Sequence, residues 1–221
     1  MIYDLLVLIG VTIGALLPIA NPFSTAPVFV TLTRQMTPDR RAQQARMACI
    51  YMTSVLVGAL LIGAAVMLFF GISIPALRIA GGLVVARVGF AMLNPEPEEE
   101  LSDESKREAL DKRDIAFTPI AMPLLSGPGS IAVTISIATE VDRPLEYVSV
   151  AVGIVVVALI SWVILRGSTQ VVKVLGVTGM NVITRLMGFI LVCIGVQFIA
   201  TGLVEAITHE LVVAAVLQSY Q

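Results

Sequence analysis

The sequence is divided into long stretches that hold no Asp, Glu, Lys or Arg: Leu5 to Thr33, Met47 to Leu77, Ile115 to Thr139, Tyr147 to Leu165 and Leu186 to Val204. About 20 apolar residues, rising 1.5 Å each in a helix, cross a hydrocarbon layer of about 30 Å. Each block is close to that length or above it. Of the 221 residues, 57% are apolar and 14% charged, against about 25% charged in a soluble domain. A chain this short cannot hide so much apolar surface in a single core, because small folds leave much of their surface in water. The expected class is an all-α membrane protein.

Six spans are expected, at 5–32, 46–70, 74–93, 115–138, 147–166 and 185–206. The block from Met47 to Leu77 is too long for one crossing. Gly71 and Pro75 punctuate it, which predicts a tight turn over Gly71–Ser73. The N-terminus lacks the basic region of a secretory signal, so the first block is read as a span. Lys and Arg in short loops set orientation. Arg34, Arg40, Arg41 and Arg46 follow the first span; Lys106, Arg107, Lys112 and Arg113 follow the third; Arg166, Lys173 and Arg185 follow the fifth. Only Arg78 and Arg143 lie in the alternate loops. The expected topology is multi-pass in the cell's inner (plasma) membrane, with both termini outside. The stretch 94–114, rich in Glu and Asp, reads as a solvated cytoplasmic linker.

Two segments repeat. Pro18-Ile19-Ala20-Asn21-Pro22 matches Pro119-Ile120-Ala121-Met122-Pro123, and Pro27 and Pro128 lie at the same offset. Farther on, Arg78-Ile79-Ala80-Gly81 resembles Arg185-Leu186-Met187-Gly188. Two matches in the same order argue for duplication. Three spans per unit is an odd number, so the second copy enters from the opposite side. The expected organisation is two inverted three-helix repeats, 1–93 and 115–207, joined by the linker and followed by a tail at 208–221. Helices one and four are expected to be broken, as in secondary transporters.

Proline cannot donate to the carbonyl four residues back, and its ring clashes there. Pro18, Pro22 and Pro27 therefore free the carbonyls of Gly14, Pro18 and Phe23, while Pro119, Pro123 and Pro128 free those of Ile115, Pro119 and Leu124. Unmet backbone groups in hydrocarbon cost several kcal/mol each, so such breaks persist only beside protein, water or a ligand. Asn21, Ser24 and Thr25 in one half, and Ser126, Gly127, Gly129 and Ser130 in the other, are expected to surround a small polar solute near the bilayer centre. The competing account is that the prolines only kink the helices and nearby Ser and Thr repair the ladder.

These segments resemble the MarC family of integral membrane proteins. The resemblance rests on Asn21-Pro22-Phe23-Ser24-Thr25-Ala26-Pro27-Val28-Phe29, the run from Gly71 to Gly82, the run from Ala121 to Gly129, and Arg185-Leu186-Met187-Gly188-Phe189. It implies a six-span inverted-repeat fold and similarity to transporters of small neutral amino acids such as glycine and alanine. Relatives often carry glycine where this chain has Ser24, a departure that bears on pocket size.

Other chemistries lack their parts. His209 lies near the C-terminus, and Asp4, Glu140 and Glu205 fall at span ends, so no intramembrane hydrolytic centre is expected. No enzyme, cofactor or metal is expected, and a net charge of −2 gives no field for nucleic acid. The expected partners are the lipid bilayer, a small zwitterionic substrate and, if transport is ion-coupled, H+ or Na+ on carbonyls and hydroxyls. Arg87 is the one charge inside a span and lies within snorkelling reach of the interface. The glycines at 81, 82, 89, 188, 195 and 202 predict close helix contact, Gln197 predicts an interhelical hydrogen bond, and Cys49 and Cys193 read as small buried apolar residues. A transporter is the leading reading. Its rivals are a non-transporting scaffold or regulator, and a drug or metabolite exporter, for which the break segments offer only Phe23 and Phe29 as aromatics.

Overall fold

The computed structural model describes residues 2–93, 114–141 and 143–219; most of the expected linker therefore lies outside the described residues. All regular structure there is helical: α1 (Ile2–Ala20), α2 (Pro22–Leu32), α3 (Pro38–Phe70), α4 (Ile74–Leu93), a π-type segment α5 (Ala116–Leu125), α6 (Pro128–Ala138), α7 (Pro144–Arg166) and α8 (Ser168–Ser219). Five helices are long and apolar enough to cross a membrane, or six if α5 and α6, bent by 62° at their junction, count as one span.

Local chemistry explains the ends. Thr37 caps α3 through Arg40 N–H, and Pro38 opens the helix where a missing N–H costs nothing. At the far end Gly71 adopts φ 65°, and Ile72 N–H donates to Met67 O at 2.9 Å. This left-handed stop is the turn expected between the second and third spans. Loop five differs from expectation. Only Gly167 separates α7 from α8, and α8 runs on through Arg185, interrupted at Gly176 (φ 60°). The polar residues of 168–185 suggest a loop, but a helix absorbs them because they sit on its exposed side at Gln170, Asn181 and Arg185. Helix α8 also continues through the tail to Ser219.

The outer faces are apolar. Leu68 and Phe69 are 83% and 84% exposed, far beyond what a water-facing helix end tolerates, and Val163, Phe189 and Val196 also point outward. Inside, Leu16, Phe29, Met52, Leu56, Ile120, Ile154 and Leu191 are fully buried. Buried hydroxyls turn back on their own helices: Thr12 donates to Leu8 O and Ser161 to Val157 O, both at 2.8 Å.

The tightest seam joins α4 and α8. A Cβ at Gly82 would lie 2.6 Å from Gly195 O, one at Gly89 2.7 Å from Gly188 O, and one at Gly202 2.9 Å from Pro75 O. The pairs 75 with 202, 82 with 195 and 89 with 188 define an antiparallel contact that steps seven residues, or about two turns, at a time. Small residues let the backbones touch, as the glycine spacing predicts. Two other expectations are corrected. Gln197 bonds to Thr201 Oγ1 on its own helix at 3.3 Å rather than across helices, because its side is exposed. Cys49 is buried but Cys193 is exposed.

Candidate functional site

In the first repeat segment, α1 stops at Ala20 and α2 starts at Pro22, with Asn21 alone between them in the left-handed region (φ 33°, ψ 68°). Asparagine enters that region more readily than most residues, because its short amide can bond locally. Here Asn21 Oδ1 accepts from Ser24 N–H at 3.3 Å, capping α2. Its Nδ2 donates to Ser24 Oγ and approaches Met92 Sδ of α4 at 3.9 Å. Ser24 Oγ shares a 2.7 Å hydrogen bond with Thr184 Oγ1 of α8, and Thr25 Oγ1 donates to Asn21 O at 3.2 Å.

The second segment is built otherwise. Thr118 (φ −122°, ψ 123°) and Met122 (φ −130°, ψ 121°) are extended, each before a cis-proline, yet both prolines remain inside α5. A further turn comes three residues later. Ser126 N–H and Oγ both donate to Ala121 O at 2.8 Å, and Gly127 then leads into α6. No side chain caps α6. Its first turn includes Gly129 and Ser130, both buried, and Ser130 Oγ reaches back to Leu125 O at 3.4 Å.

Gly127 and Gly129 differ in what surrounds them. A Cβ on Gly127 would lie 2.7 Å from Pro123 O, so glycine is required by the backbone itself. One on Gly129 would meet Ile19 Cγ2 at 3.4 Å and Val85 Cγ2 at 3.7 Å, which is ordinary contact. The bulk-sensitive position against the first repeat segment is therefore 129.

The seven expected residues do not share one level. Gly129 faces Val84 and Val85 at the middle of α4, while Asn21 reaches Met92 near its end. Those contacts lie roughly 10 Å apart along the helix axis. The link between the two breaks is Ile19, one turn or less from Asn21 and packed on Gly129. From there α2 runs toward Phe29, over which the Arg41 guanidinium stands at 5.8 Å. Helix α6 runs the opposite way, toward Glu140 beside Arg78. Two short helices thus begin near one another and diverge, each presenting the positive end of its backbone dipole inward.

Two features were not singled out beforehand. Met92 and Thr184 contact the break, and nothing in their neighbours along the chain marks them. Arg78, counted as a loop charge, is buried and pairs with Glu140 Oε1 at 2.5 Å and with Glu205 Oε1. The matching residue of the second repeat, Arg185, is exposed, as are Arg87 and Asn181. Sequence could have flagged the triad: a lone arginine and two carboxylates at span ends on one side are natural partners. At the opposite end, Gln44 Oε1 accepts from Ile115 N–H at 3.0 Å and anchors the start of α5.

The sequence pattern described as MarC family integral membrane protein matches residues 6–207. The chain is 43% identical over 215 residues to the inner membrane protein MarC of Salmonella typhimurium (strain LT2), covering 92% of this chain and 97% of that protein. The proteins of the same name from Escherichia coli O1:K1 and Citrobacter koseri are 42% and 41% identical over the same shares. No solved structure matches. The chain belongs to the MarC family, and it is an integral membrane protein.

Proposed function

Proceeding from that membership, we propose that the chain transports small neutral amino acids of the glycine and alanine kind, and catalyses no reaction. The observation that carries this reading is the start of α6, where buried Gly129 and Ser130 lie in a first turn that no side chain caps. The amides of a first helical turn lack partners in their own helix and favour an anion. A substrate carboxylate suits them. Its ammonium group would be met by the carbonyl end of α1, which Ile19 brings against Gly129. There the Pro18 carbonyl faces Pro22, which has no N–H to give. Asn21, Ser24 and Thr25 line the approach from α2, and Ser126 and Gly127 hold the start of α6 in place. The site needs no charged side chain, so it favours a zwitterion over a net ion.

The same reading takes the two proline segments as related breaks in two inverted three-helix halves, with both termini outside the cell's inner membrane. Divergence of α2 and α6 from neighbouring starts supports the inversion. Cysteine labelling at Asp4 and Asp39, after replacing Cys49 and Cys193, should show opposite accessibility if the topology is right.

The decisive experiment is uptake and counterflow of labelled glycine, alanine and serine in proteoliposomes. Gly129→Val should abolish uptake while the protein remains folded, because its branches press on Ile19 and Val85 across the substrate's path. Asn21→Ala should reduce it. If both variants transport at the wild-type rate, the site lies elsewhere. If the wild type neither binds nor moves any zwitterion, the chain is a scaffold or regulator instead.

A further inference from the structure

Far from the breaks, at the end of the molecule opposite Arg78, α3 and α8 begin beside the last turn of α7. A cleft of about 390 Å³ opens there, lined among others by Asp39, Arg41, Arg166, Thr169 and Gln170. A second cleft of about 230 Å³ shares Ala42 and Arg166 and adds Arg46 and Trp162. Among the described residues, three guanidinium groups thus line the two clefts against one carboxylate, Asp39.

The polar groups are incompletely used. Arg41 donates through Nη2 to Ser168 Oγ at 3.3 Å, but its Nε is buried without a hydrogen-bond partner among the described residues. Trp162 Nε1 is buried without one as well, and the Arg166 guanidinium stands 5.4 Å over the Trp162 ring. Arg46 and Arg166 are exposed. Pro38–Phe70 and Ser168–Ser219 start at this cleft and Pro144–Arg166 ends there, so two positive helix ends outnumber one negative end beside the three arginines. Forked guanidinium donors match phosphate oxygens in pairs. An indole beside arginines at a span end is the usual composition of a membrane interface, and basic pockets between helices at that depth take lipid head groups.

We propose that the joined clefts at Arg41, Arg46, Arg166 and Trp162 bind a phosphate group. The chemistry is the same whether the group belongs to an anionic phospholipid or is free in solution, and the experiment separates the two. Purified full-length protein in detergent is titrated with phosphatidylglycerol, with phosphatidylcholine as the zwitterionic reference, and separately with inorganic phosphate, while its melting temperature is followed. A rise with phosphatidylglycerol beyond that with phosphatidylcholine identifies a lipid site, and a rise with inorganic phosphate alone identifies a soluble one. In either case Arg166→Gln and Arg46→Gln, both at exposed positions, should each raise the ligand concentration needed for a given rise about tenfold. Arg185→Gln, exposed on α8 away from the cleft, should leave it unchanged. The proposal is overturned if phosphatidylglycerol stabilises the wild type no more than phosphatidylcholine does and phosphate does not stabilise it, or if the cleft variants respond as the wild type does. Because melting is the readout, the result is independent of whether the protein transports amino acids.

Discussion

Pro18-Ile19-Ala20-Asn21-Pro22 and Pro119-Ile120-Ala121-Met122-Pro123 carry prolines at the same spacing, yet the chain leaves helical geometry differently in the two. In the first it turns inside the segment, at Asn21. In the second the backbone is extended at Thr118 and at Met122, the counterpart of Asn21, and a further bend of 62° follows where α5 meets α6 at Ser126 and Gly127. The residue before the last proline accounts for the difference. Asparagine takes φ 33° and caps the next helix with its own amide. Methionine has neither option, so Met122 stays extended at φ −130°, as residues before proline prefer. Proline removes the helical hydrogen bond; its neighbour decides which conformation the chain takes at the break. One consequence is that α2 begins capped and α6 begins without a side-chain cap.

If that account is right, substitutions should hurt the two segments unequally. The largest loss is expected for Gly127→Ala, whose new methyl carbon would lie 2.7 Å from Pro123 O. Backbone, unlike a side-chain tip, cannot yield cheaply, and thermal unfolding in detergent should show a loss of about 3 kcal/mol or a failure to fold. Next comes Asn21→Met, which removes the cap and forces a longer side chain into the left-handed region, for about 2 kcal/mol. Asn21→Gly should recover most of that, since glycine tolerates the conformation. The reverse exchange, Met122→Asn, should cost no more than about 1 kcal/mol, because Met122 is only partly buried and its extended backbone suits either residue. Equal losses for the two exchanges would break the comparison. The smallest effect is expected for Gly129→Ala, within about 0.5 kcal/mol, because its nearest neighbour would stand at an ordinary 3.4 Å.

The membrane class and the hairpin at Gly71 were legible because they depend on composition and on one residue's backbone freedom. The helix boundary at Asn21 is marked in the sequence by the prolines on either side of it. The bend between α5 and α6 could not be assigned to Gly127 from the proline spacing alone. That required knowing that Pro123 O would crowd a side chain at 127. Longer-range facts were hidden for a common reason. Met92, Thr184 and the Arg78–Glu140–Glu205 cluster depend on which helices become neighbours, and local patterns carry no record of that. Arg185 shows the converse: it shares a motif with Arg78 but not its surroundings.

The glycine seam between α4 and α8 constrains motion as well as packing. A slide of one turn would set Gly82 and Gly89 against side chains that the 2.6 Å and 2.7 Å spacings leave no room for, so the two helices are indexed like the teeth of a rack. They come from different halves of the chain and, with Arg78 bound to Glu205, form a spindle. If the proposed transport opens the protein to one side and then the other, the remaining helices are expected to turn around it. Spin labels on α4 and α8 would then keep one distance throughout, while labels on α2 and α6 would report the swing.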